Sequence, residues 1–543
     1  MKNMQTVAGA AAVLGVSVLV GTVPPTSDLA NGAWAGTMRD GTTQTYFTVA
    51  FPNAAAADDP QGDLYFPKRS EVGYPLDSVV RDGREVTFAA TVRGRTLRFS
   101  GLVDGGSMSG SVVEGGRKQS FTLQHLERWP EATLEQYVGD YVAGDRTVGI
   151  ARPYTYVMFL DWKTGRMGFL WPLGKDSFFT GPSKGIHYPA EGTFSFERDR
   201  GGHVTALTMR LRGETHFRGI RKSAGISRPL DVHNGGALIS GTLWLPNGPA
   251  PHPAVMLLAG SNYQTRVAQN AFLWWVRSIF LKAGFAVYAY DKRGAGFSTG
   301  DRDDGFVVSD AVAGFRALTA QADVNRSCVG ILGESQGGMA APKVAATVPG
   351  VAFIANTSGA TVNANLQEIQ RTAREMRADG FSEQDVRDAT ELQTLKFAYA
   401  MTGQGWSSYA ADVNRFKNRA WFPDPYVGPP TEPNDPAFAF WRKGGGDAPT
   451  DYWAQFTGPA LYIDGQNETN QDPQSNFAAF ENAMHKAKND RFSTVVVKGA
   501  DHSMLVDPRG GNTIDRLLTN YQMKYFDDLA SWIHTLPANC QSE

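Results

Sequence analysis

The feature that most constrains this chain is a series of apolar runs that alternate with helical patterns between positions 238 and 497. The runs are Leu238 to Leu245, Ala254 to Ala259, Phe285 to Tyr290, Val329 to Leu332, Val351 to Ala355, Ala460 to Ile463 and Thr494 to Val497. Helical spacing fills Ala268 to Ala283, Ser309 to Gln321 and Gln336 to Val348 between them. Strands that are apolar at successive positions, rather than at every second one, are buried on both faces. Their alternation with helices predicts a doubly wound, mostly parallel sheet of the α/β class. Reactive groups in such a sheet collect on the loops that leave the carboxyl ends of the strands.

The loops after the strands therefore carry the functional reading. Val329 to Leu332 runs into Gly333-Glu334-Ser335-Gln336-Gly337-Gly338 and then into the helix-compatible segment Gln336 to Thr347. A serine between glycines at a strand–turn–helix junction can be lifted clear on a sharp turn, which makes Ser335 the candidate nucleophile. His502 lies in Gly499-Ala500-Asp501-His502-Ser503, directly after Thr494 to Val497. It is expected on the same sheet edge and is the candidate base; the other eight histidines fall at places that suit surface or satisfied roles. Ala460 to Ile463 ends in a segment holding three carboxylates that could orient that imidazole. Glu468 ranks first because it is far enough past Gly465 to turn back, Asp472 before Pro473 is the alternative with the look of a helix cap, and Asp464 comes third. The expected oxyanion donors are the backbone N–H of Gln336 and that of Ser261 in the loop Gly260-Ser261-Asn262-Tyr263, with Asn262 as the alternative.

Residues 226 to 536 resemble the α/β-hydrolase superfamily, most nearly the dienelactone-hydrolase and prolyl-oligopeptidase-like serine hydrolases. The segments that carry this are Gly241 to Pro246, Leu258 to Ser261, Tyr290 to Gly300, the Gly333–Gly338 elbow and Gly499 to His502. The resemblance implies a serine esterase acting through an acyl-enzyme without metal or organic cofactor, with a peptidase or a thioesterase as the enzymatic rivals. It also implies that the turn Asp291-Lys292-Arg293-Gly294 is architectural. Two departures stand out: the family's acid is more often Asp than Glu, and Ala259 occupies the place where many members carry a histidine.

Outside this region, residues 31 to 222 show short alternating runs broken by turn signals such as Asp104-Gly105-Gly106. They are expected to form one or two small antiparallel β-modules, 31–127 and 128–222, with Arg128-Trp129-Pro130 as the seam. About 190 residues are few for a propeller. A non-enzymatic alternative gives these modules the main role, as binders of a polymer or lipid surface. The catalytic region is 226–543, with an insertion at about 358–456 that predicts a helical cap. Twelve aromatic residues fall between Trp406 and Phe456, and they suit either a substrate pocket or the cap's own core.

Lys2 precedes the uncharged run Val7 to Val23, so residues 1–26 read as a signal peptide and the chain as secreted or periplasmic, without stable membrane insertion after cleavage. Export permits a Cys328–Cys540 bridge, and two free thiols suit the sequence equally. With 52 Lys+Arg against 54 Asp+Glu the chain lacks the basic excess of a nucleic-acid binder. The expected partner is a small-molecule ester.

Overall fold

The computed structural model describes residues 32–41, 43–51, 62–66, 71–92, 94–126, 129–153, 156–186, 190–222, 225–301, 304–422, 426–508 and 517–541. The segment expected to be a signal peptide, and Arg128 of the seam, lie outside them. The described residues form two compact units, one reaching to His125 and the other from Leu126 onward.

The first unit is a closed barrel of eight antiparallel strands, β1 (Gly32–Asp40) to β8 (Arg117–His125). Alternation in the sequence becomes alternation in burial. In the strand Arg95–Asp104, Leu97, Phe99, Gly101 and Val103 face inward between exposed neighbours. The interior is filled by stacked and edge-on rings, with Phe88 and Phe99 4.3 Å apart.

The second unit opens with the short helix α1 (Glu131–Glu135) and another closed eight-stranded barrel, β9 (Gly139–Ala143) to β16 (Phe217–Arg221). Beyond it lies an eight-stranded sheet. Its order is β17 (Ile226–Pro229), β20 (Gly241–Leu245), β22 (Ala286–Tyr290), β21 (His252–Leu258), β23 (Val324–Glu334), β24 (Val351–Thr357), β25 (Ala460–Gly465) and β26 (Phe492–Val497). The pairs β17–β20 and β20–β22 are antiparallel, and the remaining pairs run parallel. The expected single strand Leu238 to Leu245 is broken. Residues Ala237–Ile239 form β19, which pairs with β18 (Val232–Asn234), and the Ser240 N–H donates to Ser298 Oγ instead of to a neighbouring strand.

Both faces of the middle of this sheet are covered, which is why β21, β22 and β25 are buried at every position. Val255 and Leu257 of β21 belong to one core with helices α2 (Phe272–Lys282) and α11 (Met523–Ile533). Ala254, Met256 and Leu258 belong to the opposite core with α3 (Val307–Thr319), α4 (Gln336–Thr347) and α10 (Pro473–Lys486). The second barrel is built into the first of these cores: Trp162 packs edge-on to Trp275 and Phe526. Its backbone also exchanges hydrogen bonds with residues 518–521, Tyr521 N–H to the Gly165 carbonyl and Lys184 N–H to the Leu518 carbonyl. Cys328 on β23 is joined to Cys540 by a disulfide, which ties the chain's last turn to the middle of the sheet.

Among the described residues, five helices stand between β24 and β25: α5 (Ala364–Ala378), α6 (Glu383–Thr402), α7 (Trp406–Phe416), α8 (Pro436–Gly444) and α9 (Pro449–Trp453). Ser382 caps α6 by accepting from the Asp385 N–H. The aromatic residues of the insertion mostly make cores. Tyr409, Phe416, Trp421 and Phe438 form the cap's own interior with Met376 and Leu392, whereas Trp453 and Phe456 join the sheet core beside Tyr462.

Candidate active site

Ser335 ends β23 and begins α4 with φ +51° and ψ −118°, a backbone conformation that costs energy for a residue with a side chain. Its neighbourhood holds it there. The Ser335 N–H donates to the Thr357 carbonyl at 2.9 Å on the adjacent strand. The flanking glycines are required by contact: a Cβ on Gly337 would stand 2.3 Å from the Leu258 carbonyl oxygen, and one on Gly338 would stand 2.0 Å from Asn356 Oδ1. The helix can therefore approach β21 and β24 closely enough to present the serine at the sheet edge.

His502 comes after β26 on a turn tightened by Asp501, whose Oδ1 accepts from the N–H groups of Ser503 and Leu505. Its Nε2 lies 3.1 Å from Ser335 Oγ and its Nδ1 lies 2.5 Å from Glu468 Oε2. With Nδ1 protonated toward Glu468, Nε2 is the acceptor for the serine hydroxyl. The Glu468 carboxylate is fully buried, and Oε1 accepts from the Asn470 N–H. The loops carrying Glu468 and His502 touch through backbone: the Asn467 N–H donates to the Ala500 carbonyl at 2.8 Å, and a Cβ on Gly465 would sit 2.4 Å from the Asp501 carbonyl oxygen.

The three carboxylates of this segment have separate places. Asp472 caps α10 by accepting from the Ser475 N–H and pairs with Arg374 of the cap at 3.1 Å. Asp464 is buried beside Glu468, where Oδ2 accepts from Gln471 Nε2 at 2.7 Å. Burial first, and then the charge of Glu468, push the Asp464 carboxyl well above the usual carboxylate range. Burial by itself would lower the His502 imidazole, but the charge and hydrogen bond of Glu468 outweigh it. With Glu334 and Asp464 adding to the pull, His502 is raised to about 9. The surroundings thus favour the positively charged ring.

On the other side of Ser335, the loop Gly260-Ser261-Asn262 leaves β21 with Ser261 and Asn262 exposed and Asn262 at φ +68°. Gln336 is the first residue of α4, where free N–H groups and the helix dipole favour negative charge. Of the turn after β22, Asp291 binds the Arg266 guanidinium and the Phe297 N–H, and Arg293 pairs with buried Asp310. Lys292 does something else. Its Nζ donates to the Gly260 carbonyl at 2.7 Å and to Gln336 Oε1 at 2.6 Å. Glu334, the residue before the serine, accepts from the Gly260 N–H at 2.7 Å. Burial raises the Glu334 carboxyl above its ordinary value, against the pull of His502, the Gly260 N–H and Lys292. Sequence reasoning assigned neither residue to the site. The strand-end rule contained the signal, since both come after the last apolar position of a sheet strand.

The cap reaches this edge through α5. Arg374 Nε donates to the Glu468 carbonyl at 2.9 Å, and Gln367 Nε2 donates to the Asn470 carbonyl at 2.5 Å. Among the described residues no helix is long and apolar enough to cross a membrane, and no group of three or more His, Cys, Asp or Glu could hold a metal ion.

Several solved structures are similar to this chain. The Pyrococcus furiosus esterase Pf2001 matches at 16% identity over 57% of this chain and 92% of that one, with a TM-score of 0.36. Est1E from Butyrivibrio proteoclasticus, whose structure holds ferulic acid, matches at 13% identity over 56% and 98% with a TM-score of 0.37. A dienelactone hydrolase from Anabaena variabilis matches at 16% identity over 58% and 99%, with a TM-score of 0.32. No curated protein sequence matches the chain. Residues 255–511, which hold Ser335, Glu468 and His502, match the model of the alpha/beta hydrolase family, and through this region the chain belongs to that family.

Proposed function

We propose that this chain is an exported serine hydrolase that cleaves carboxylic esters through an acyl-enzyme on Ser335. The observation that carries the reading is the continuous hydrogen-bonded line from Ser335 Oγ through His502 to buried Glu468.

In the first half-reaction Ser335 Oγ attacks the ester carbonyl while His502 Nε2 takes the hydroxyl proton. Glu468 holds Nδ1–H and stabilises the imidazolium that forms. The oxyanion of the tetrahedral intermediate is met by the backbone N–H groups of Gln336 and Ser261, each worth about 10²–10³ in rate at comparable sites. Collapse breaks the ester C–O bond as His502 returns the proton to the leaving alcohol. Water, deprotonated in turn by His502, then attacks the acyl-enzyme and releases the carboxylic acid and free Ser335.

Two features support export. Lys2 and the uncharged run Val7 to Val23 have the order of a secretory signal, and a Cys328–Cys540 disulfide suits an oxidising compartment.

Hydrolysis of p-nitrophenyl acetate, butyrate and octanoate by the mature chain, beside aminoacyl anilides, tests the reading. Ester turnover that disappears in Ser335→Ala is the expected result. Preferred anilide cleavage would make it a peptidase, and full activity in the variant would remove Ser335 from the mechanism.

A further inference from the structure

Lys292 takes no part in the proton relay, yet its ammonium is bonded to both loops that carry the proposed oxyanion donors. The Gly260 carbonyl it binds belongs to the same peptide unit as the Ser261 N–H. A trans peptide is planar, with its C=O and N–H pointing in opposite directions. Fixing the carbonyl against Lys292 therefore fixes the direction of the Ser261 N–H on the far side of that plane. A positive charge on the oxygen also polarises the unit and strengthens the N–H as a donor. The preceding peptide is held as well, because its N–H, that of Gly260, donates to Glu334. Two successive planes are thus locked. Gly260 has no room for a side chain, since a Cβ would stand 2.5 Å from Glu334 Oε2. The same Nζ holds the side chain of Gln336, whose backbone N–H is the second donor.

We propose that Lys292 is a positioning residue for oxyanion stabilisation, aiming the N–H groups of Ser261 and Gln336 at one point beside Ser335. The proposal rests on Ser335 being the nucleophile of an ester hydrolase, and it favours Ser261 over Asn262 as the loop's donor. A group that fixes donors used only in the tetrahedral state acts on kcat more than on KM.

The test uses the full mature chain, p-nitrophenyl acetate as substrate and phenylboronic acid as a tetrahedral mimic on the serine. Lys292→Met is expected to lower kcat by about 30–100-fold with KM within about 3-fold, below the loss seen when a donor itself is removed. Phenylboronic acid should weaken by a similar factor, and Lys292→Arg should restore part of both. Unchanged kcat, or a lowered kcat with unchanged boronate affinity, would overturn the proposal. If Lys292→Met does not fold, Gln336→Leu decides: it is expected to lower kcat by about 10-fold at constant KM, and wild-type kcat there would overturn the proposal. Ser335→Ala separates the two levels. A wild type without ester turnover, or an active Ser335→Ala, removes the reading and the proposal together, whereas a normal Ser335 control with an active Lys292→Met removes the proposal alone.

Discussion

Asp464 and Glu468 lie buried together at the carboxyl end of β25, and it is Glu468, further along the loop, that reaches Nδ1 of His502 at 2.5 Å. Asp464 is turned inward to Gln471 and to the N–H of Gly465. The strand end thus supplies a second buried carboxyl beside Glu468, and the loop supplies the partner for the histidine.

This arrangement ranks the carboxylates by function. Glu468→Gln is expected to lower kcat for ester hydrolysis by about 10³–10⁴-fold, because the amide cannot hold the imidazolium or enforce its tautomer. Asp464→Asn keeps a donor toward Glu468 and should lose less than about 10-fold. Asp472→Asn should leave turnover near wild type, since Asp472 caps α10 and pairs with Arg374. Steady-state rates of the three variants check the order, and an inactive Asp472→Asn beside an active Glu468→Gln would reverse the assignment.

The pH dependence is set by His502. A base must be unprotonated, so a ring raised to about 9 loses activity as pH falls through that raised value. The acid limb of kcat/KM should therefore lie well above about 6.5, the ordinary histidine value, and Glu468→Gln should move it down. A limb at or below the ordinary value in the wild type would contradict the electrostatics of the site.

The elbow's packing predicts a stability effect separate from chemistry. In Gly338→Ala the new Cβ would meet Asn356 Oδ1 at 2.0 Å. Overpacking of this kind costs about 1–3 kcal/mol, and a lowered denaturant midpoint would report it. A midpoint equal to wild type would mean that α4 can shift away from β24.

The disulfide closes a separation of 212 residues. Bridges over long loops stabilise by about 2–4 kcal/mol. Reduction should lower the denaturant midpoint, and titration of the unreduced, unfolded chain with a thiol reagent should find no free thiol. Two titratable thiols would contradict the pairing.

Legibility in the sequence tracked distance along the chain. Strands buried on both faces announce themselves by continuous apolar runs, so the parallel sheet and the loops leaving it were readable. Ser335 and His502 stood at strand ends and needed no knowledge of packing. The contacts of Lys292 and Glu334 were not readable, because each depends on where a side chain lands across two loops. The cap's rings were ambiguous for a related reason: their number between Trp406 and Phe456 marks a packed segment but does not tell whether rings such as Tyr409 and Phe438 build a core or a pocket. The Cys328–Cys540 pairing likewise depended on the fold returning the last turn to β23, which spacing alone does not reveal.

The central claim is that Ser335 is a nucleophile activated by His502. Reaction of the purified chain with a fluorophosphonate, then intact mass and peptide mapping, is the test. A single adduct on the peptide containing Ser335 is expected, formed far more slowly in His502→Ala and absent in Ser335→Ala. An adduct on another residue, or labelling that survives Ser335→Ala unchanged, would contradict it.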